Sequence, residues 1–414
     1  MDLWYNTMSK KLRGGINMER LVGTISRGLR APIVKEGDDL KTIVVDTVLK
    51  CVDNGDFIPR DKDILCVTES ILARTQKNFV TKEQIAKDVA AKIGGETTGI
   101  VFPITSRNRF SIMLRGIALG SKKVVVQFSY PGDEVGNNMV EPEAVRKAGV
   151  NPYTDVLTLE QFEAHFGRPK HTFTGMDYAH YYKELIEEEG AEAEIIFSNN
   201  PETMLEYTKT VIAADIHTRF DTKRILKEAG AEVAIGLDDL MTAPVDGSGY
   251  NDQYGLLGSN KSTEGTVKLF PIKCQEFVEA VQKDLIEKTG KQIEVMIYGD
   301  GAFKDPVGKI WELADPVVSP GYTSGLEGVP NEIKLKYLAD DKFAGLTGAE
   351  LQKAVADEIR SKGAQDLDQQ ARLGTTPRQL TDLIGSLCDL TSGSGDKGTP
   401  FVYIQGYFDT YVAD

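Results

Sequence analysis

The sequence predicts a mixed α/β protein, an α+β frame interrupted by an inserted α/β domain, and three observations point to it. Between about Asn151 and Gly290, strand-like and helix-like segments alternate, as parallel βαβ units do. On either side, helix-period runs and short apolar strand-like runs mix without that alternation. The length of 414 residues, with 41% hydrophobic and 27% charged residues, suffices for two or three domains with proper cores and no covalent staples.

Residues 1–20 are polar and uneven and read as an extension, with residues 21–150 as the first part of the frame. Within it, Leu40–Val52 has a helical period, and Asp38 or Asp39 is placed to cap it. Asp63–Thr68 reads as a short buried strand, Lys82–Ile93 as a helix, and Ile112–Gly116 and Lys123–Tyr130 as two further strands. In the inserted domain, 151–290, Glu194–Ser198 reads as a strand, Thr218–Ala229 as a helix stopped by Gly230, and Ala231–Gly236 as the strand that follows at once. Helix Gln275–Lys288 comes next. Residues 291–414 close the frame with strand Gln292–Tyr298, a charged helical stretch over Glu332–Asp366, and a helix that Thr376 and Pro377 start and that runs to about Leu390. Phe401–Gly406 is the last strand expected. No internal repeat or low-complexity tract interrupts this order.

Composition excludes several function classes. With 48 Lys+Arg against 62 Asp+Glu the formal charge is −14, which argues against nucleic acid or an anionic membrane as the main partner but leaves room for a small polyanion in a local pocket. The cysteines, Cys51, Cys66, Cys274 and Cys388, have no spacing that suits zinc or a disulfide framework and read as reduced core residues. No leader-like apolar core opens the chain and no run of about 18 apolar residues occurs, so a cytoplasmic location is expected.

Four segments are candidates for chemistry. Ser392–Thr399 is Gly-rich, so backbone N–H groups could converge on a phosphate with Lys397 adding charge, although a plain helix-to-strand connection uses similar residues. Asp133 and Asp300 follow strand-like runs, where carboxylates hold cations that bridge nucleotide phosphates, or where Asp and Gly simply satisfy a turn. Asp246–Gly255 is a long polar, aromatic loop that favours a binding role. Asp215-Ile216-His217 lies at a strand end, and His217 reads either as a base or ligand or as a local cap. His165, His171 and His180 lack a matching carboxylate spacing and are given no chemistry. Neither a G-x-S-x-G elbow nor a strand-linked G-x-G-x-x-G is present, so an elbow hydrolase and a dinucleotide dehydrogenase lack support.

The run Pro32–Leu40, then Asp63–Arg74, and again Leu383–Gly406, resembles the coenzyme F420-0:L-glutamate ligases, and the chain reads as a long variant of that family with a large insertion. The resemblance implies a frame of mixed α/β fold, an intertwined homodimer, GTP as co-substrate and Mg2+ or Mn2+, with K+ as a candidate further cation. It implies that glutamate is condensed onto a small-molecule carboxylate. Carried over, Pro32, Ile33, Val34, Lys35, Glu69 and Ser70 would line the nucleotide, and Arg74 would stand where the family has a lysine. Asp133 would meet the metal. Asn137 would meet the nucleotide, with three residues between the two where the family has two. Gly393, Ser394, Gly395, Asp396 and Lys397 would hold phosphates, although the family's metal-binding Gln is missing there. Asp300 is the preferred second metal ligand, with Asp252 and Asp215 as alternatives, and none of the three is followed by the family's Thr. The expected function is therefore a GTP- and metal-dependent amide ligase. A nucleotide-binding regulatory protein and a metal-dependent phosphohydrolase are the alternatives.

Overall fold

The computed structural model describes residues 21–171, 174–299, 315–330, 332–361, 379–392 and 395–412. Asp300, Gly393, Ser394 and the expected helix start at Thr376 and Pro377 lie outside them, as do residues 1–20.

Two sheets carry most of the core. The first runs in the order β1 (Ile25–Leu29), β14 (Phe401–Gln405), β2 (Ile64–Thr68), β12 (Glu294–Tyr298), β13 (Gly321–Tyr322), with β2 and β12 parallel and the other pairs antiparallel. Its three central strands, β14, β2 and β12, are apolar at all but a terminal position because both faces are covered. Leu65, Val67, Val295, Ile297, Phe401 and Tyr403 face α1 (Leu40–Asp53) and α9 (Cys274–Thr289). The alternate positions Ile64, Cys66, Met296, Val402 and Ile404 face α11 (Leu380–Ser392). Asp39 caps α1, accepting from the Thr42 N–H at 3.2 Å, a bond of a kind that contributes about 1 kcal/mol.

The second sheet has the order β6 (Leu157–Thr158), β7 (Glu192–Phe197), β5 (Lys123–Phe128), β4 (Thr97–Val101), β8 (Thr210–Ala213), β9 (Val233–Gly236), parallel except for β6. The alternation expected from the sequence is therefore present, but the expected boundary at residue 150 runs through the sheet, since β4 and β5 form its centre. α9, expected inside the inserted domain, packs instead on the first sheet. The chain steps from β4 to β5 and β7 on one side, then crosses to β8 and β9 on the other, so the strand order reverses between β4 and β8. A small antiparallel sheet, β10 (Asn260–Thr263), β11 (Thr266–Lys268) and β3 (Phe79–Thr81), packs Val80 and Val267 into the same core.

Residues 112–116, expected as a strand, lie in α4 (Ser111–Leu119). Nearly every position of that segment is buried, so no polar face marks its period. Gly116 lets α4 lie close on α3 (Lys82–Ile93), since a Cβ there would meet Ile85 Cγ2 at 2.6 Å. Among the described residues no helix is long and apolar enough to cross a membrane.

Candidate active site

One end of the first sheet gathers segments from almost the whole chain. Leu29 at the end of β1 pairs with Phe401 at the start of β14, and Phe401 pairs with Val67 near the end of β2. Tyr298, the last residue of β12, pairs with Thr68. Consequently the chain leaving β1, the chain entering β14 and the chains leaving β2 and β12 emerge together. Hydrogen bonds stitch them, from Ala31 N–H to Gly398 O at 3.0 Å, from Thr68 N–H to Pro400 O at 3.1 Å, and from Gly37 N–H to Thr75 O at 2.9 Å. On this surface Pro32, Ile33, Lys35, Ser70, Arg74, Gly395, Asp396 and Lys397 are all exposed, whereas Val34 turns into the core.

Glu69 is different. It opens α2 (Glu69–Thr75) but points inward, and both carboxylate oxygens accept from Lys268 Nζ at 3.0 Å. Beside it Arg109 pairs with Asp315 at 2.8 Å, both largely buried. Lys268 escaped the sequence reading, although a single lysine in the apolar run Val267-Lys268-Leu269-Phe270 is the sort of signal that marks a buried pair. Arg109 and Asp315 offered no such signal.

Asp133 lies beyond β5. A Cβ on Gly132 would meet Asn138 Oδ1 at 2.5 Å, so only glycine fits the tight loop that places the aspartate. Its Oδ1 accepts from the Val135 and Asn137 N–H groups at 3.2 and 2.9 Å. Oδ2 accepts from Thr105 N–H, Thr105 Oγ1 and Asn137 Nδ2 at 2.8, 3.0 and 2.8 Å. Burial pushes the carboxyl above its ordinary pKa, and these donors pull it back. The loop after β4 joins the two centres, since Thr105 touches Asp133 and Arg109 reaches Asp315.

Asn137 is buried and its Oδ1 lies 3.1 Å from His171 Nε2. Burial lowers the His171 pKa, against the pull of the Asp133 charge. The exposed Glu134 carboxylate accepts from the N–H groups of Ile216, of His217 at 3.1 Å and of Thr218 at 3.4 Å, in the turn that leads into α8 (Arg219–Glu228). His217 thus stands in the turn before a helix, with its backbone N–H held by Glu134. Asp252 is exposed, in a loop that Asn251 ties to Phe270 and Pro271 and that Gly249 ties to Phe79, so the described contacts of Asp246–Gly255 bind elements together.

Asp215, at the end of β8, is fully buried. Its Oδ2 accepts from Thr218 and Thr222 hydroxyls at 2.7 Å each, and its Oδ1 has no hydrogen-bond partner among the described residues. Burial, with the Glu134 charge adding to it, raises this carboxyl above the ordinary value. A carboxyl whose pKa is raised on folding favours the folded state at low pH, and that contribution is lost as pH climbs from about 4 through the raised value. Asp215→Asn should therefore gain melting temperature over wild type by an amount that grows between pH 4 and pH 8. Thermal melts across that range check this, and a difference independent of pH would show that Asp215 ionises normally.

Among the described residues no group of three or more His, Cys, Asp or Glu is placed to hold a metal ion, and the Asp133 carboxylate is filled by the chain's own donors. The described residues do not by themselves make a metal site.

A family model described as F420-0:Gamma-glutamyl ligase matches residues 28–406. The chain belongs to that family. The match takes in both sheets, apart from the first three residues of β1, and every segment gathered at the end of the first one, the alternating region included. A search of curated proteins finds no match. Membership in the F420-0:gamma-glutamyl ligase family makes the protein a ligase of gamma-glutamyl type, and the exposed strip of Pro32, Ile33, Lys35, Ser70, Arg74 and Gly395 to Lys397 is its candidate active-site surface.

Proposed function

We propose that the protein is a GTP- and divalent-metal-dependent amide ligase that joins L-glutamate, or a similar amino acid, to a carboxylate acceptor through an acyl phosphate. The observation that carries this reading is the meeting at one sheet end of three cation-bearing segments, with Lys35, Arg74 and Lys397 exposed, in a chain of this family. A triphosphate needs local positive charge, which a chain of net charge −14 has to concentrate.

In this reading Pro32–Lys35 and Ser70 flank the nucleotide and Gly395–Lys397, with Gly393 and Ser394, hold its phosphates. Glu69 supports them from beneath through Lys268. An acceptor carboxylate oxygen attacks the γ-phosphorus and the bond to the β–γ bridging oxygen breaks, releasing GDP. The amine then attacks the acyl carbon, phosphate leaves with the C–O bonding pair, and the amine gives up a proton. Little covalent chemistry falls to the protein, so positioning and charge provide the acceleration. Dependence on Mg2+ or Mn2+, with K+ as a further cation, is proposed on the family resemblance, with Asp133 and Asp300 as ligands and Asp252 or Asp215 as alternatives to Asp300. A homodimer belongs to the same proposal.

The test is phosphate release from GTP or ATP with Mg2+, Mn2+ and K+, a panel of amino acids and small carboxylates, before and after chelation. Amino-acid-dependent release that chelator abolishes is expected. Release that no amine changes would replace the ligase reading with a phosphohydrolase, and tight nucleotide binding without release would replace it with a regulatory protein.

A further inference from the structure

A hydrogen-bonded chain, Thr105, Asp133, Asn137, His171, Thr174, with Thr105, Asn137 and His171 buried and Thr174 at the surface, links the loops after β4 and β5 to the loop before α7 (Tyr178–Glu188). His171 is 4% exposed and no step of the proposed reaction uses it. Its protonation follows from its neighbours. The Thr174 N–H, which can only donate, reaches His171 Nδ1 at 3.1 Å, so Nδ1 carries no proton. The proton of the neutral ring then sits on Nε2 and is donated to Asn137 Oδ1 at 3.1 Å. At the far end of the same amide, Nδ2 donates to Asp133 Oδ2 at 2.8 Å. Each end requires the same amide orientation, since a flipped Asn137 would set its oxygen against the carboxylate and its NH2 against an N–H. Edge-on packing of the His171 ring on Tyr178, centroids 5.5 Å apart, fixes the imidazole plane.

We propose that His171 is a positioning residue of the ligase, whose Nε2–H sets the Asn137 amide and through it the Asp133 carboxylate. This rests on the proposed function for its catalytic consequence, though not for the orientation itself. The histidine acts through two intervening groups, as partners of site residues commonly do when they hold a ligand's orientation.

The test separates the two ring positions. In His171→Gln the side-chain amide reaches the place of Nε2 and can still donate to Asn137, whereas in His171→Asn it reaches only the place of Nδ1. With wild type and His171→Ala these make four proteins. Two readouts are taken: kcat and nucleotide KM for amine-dependent phosphate release, and hydrogen exchange of the Asn137 side-chain amide by NMR, assigned with Asn137→Asp. The expected result is a kcat about 10–100-fold lower in His171→Ala and His171→Asn, with KM within about twofold and His171→Gln close to wild type. Slow Asn137 amide exchange is expected in wild type and His171→Gln only. Equal behaviour of the Gln and Asn variants in both readouts would overturn the inference, because a merely structural histidine would not distinguish them. A wild-type protein with no amine-dependent release would defeat the ligase reading, and the exchange pattern would then decide the role of His171 alone.

Discussion

Lys268→Met is expected to lower the unfolding free energy by about 3–5 kcal/mol, the usual cost of leaving one partner of a buried pair uncompensated. Lys268 and Glu69 side chains are 10% and 7% exposed, and both Glu69 oxygens lie 3.0 Å from Nζ. Once the lysine is gone, the carboxylate faces the charge of Asp315 with Arg109 already engaged by that aspartate. The double variant Glu69→Gln with Lys268→Met should recover most of the loss, since an apolar or neutral pair of similar volume carries no unpaired charge. Denaturant unfolding of the two single variants and the double variant measures the cycle. A single-variant loss below about 1 kcal/mol would mean that the pair behaves like one at the surface.

Asp133→Asn should cut amino-acid-dependent phosphate release by more than about hundredfold while leaving a folded protein. Each carboxylate oxygen accepts at least two hydrogen bonds, so wherever the new NH2 group sits it faces donors, at a cost of about 1–3 kcal/mol. The loops carrying Thr105 and Asn137 then lose the acceptor that draws them together. Phosphate-release assays and denaturant unfolding on the same preparation check both halves. Wild-type turnover in this variant would remove Asp133 from the site, and a loss of fold instead of rate would make its role purely structural.

Local signals account for what was legible. Lys82–Ile93 was readable end to end because its apolar period runs through twelve residues that Thr81 and Gly94 cap directly on either side. β2, β12 and β14 were readable as buried strands because short apolar runs bounded by polar turns have few other solutions. α4 was misread for the opposite reason, since a helix buried nearly all round shows no polar face. Ile25–Leu29 was missed as a strand because ISRGL alternates weakly, and its pairing with β14 is what makes it one. At the site, the exposed strip was reached by likeness of residues, whereas the inward turn of Glu69 and the contact of His171 with Asn137 were not.

By itself the sequence determined the mixed α/β class, most of the longer elements and their order, the net negative charge and the family to which the chain belongs. Only the tertiary structure decided which of them touch. It set β1 beside β14, took β4 and β5 into the same sheet as the later strands, and gave Glu69 a partner 199 residues away and Arg109 one 206 residues away. Periods and caps depend on the nearest few residues and leave a local trace. A pairing between distant segments depends on the apolar area and the charges that the whole chain can bury at once, and no short stretch records that sum.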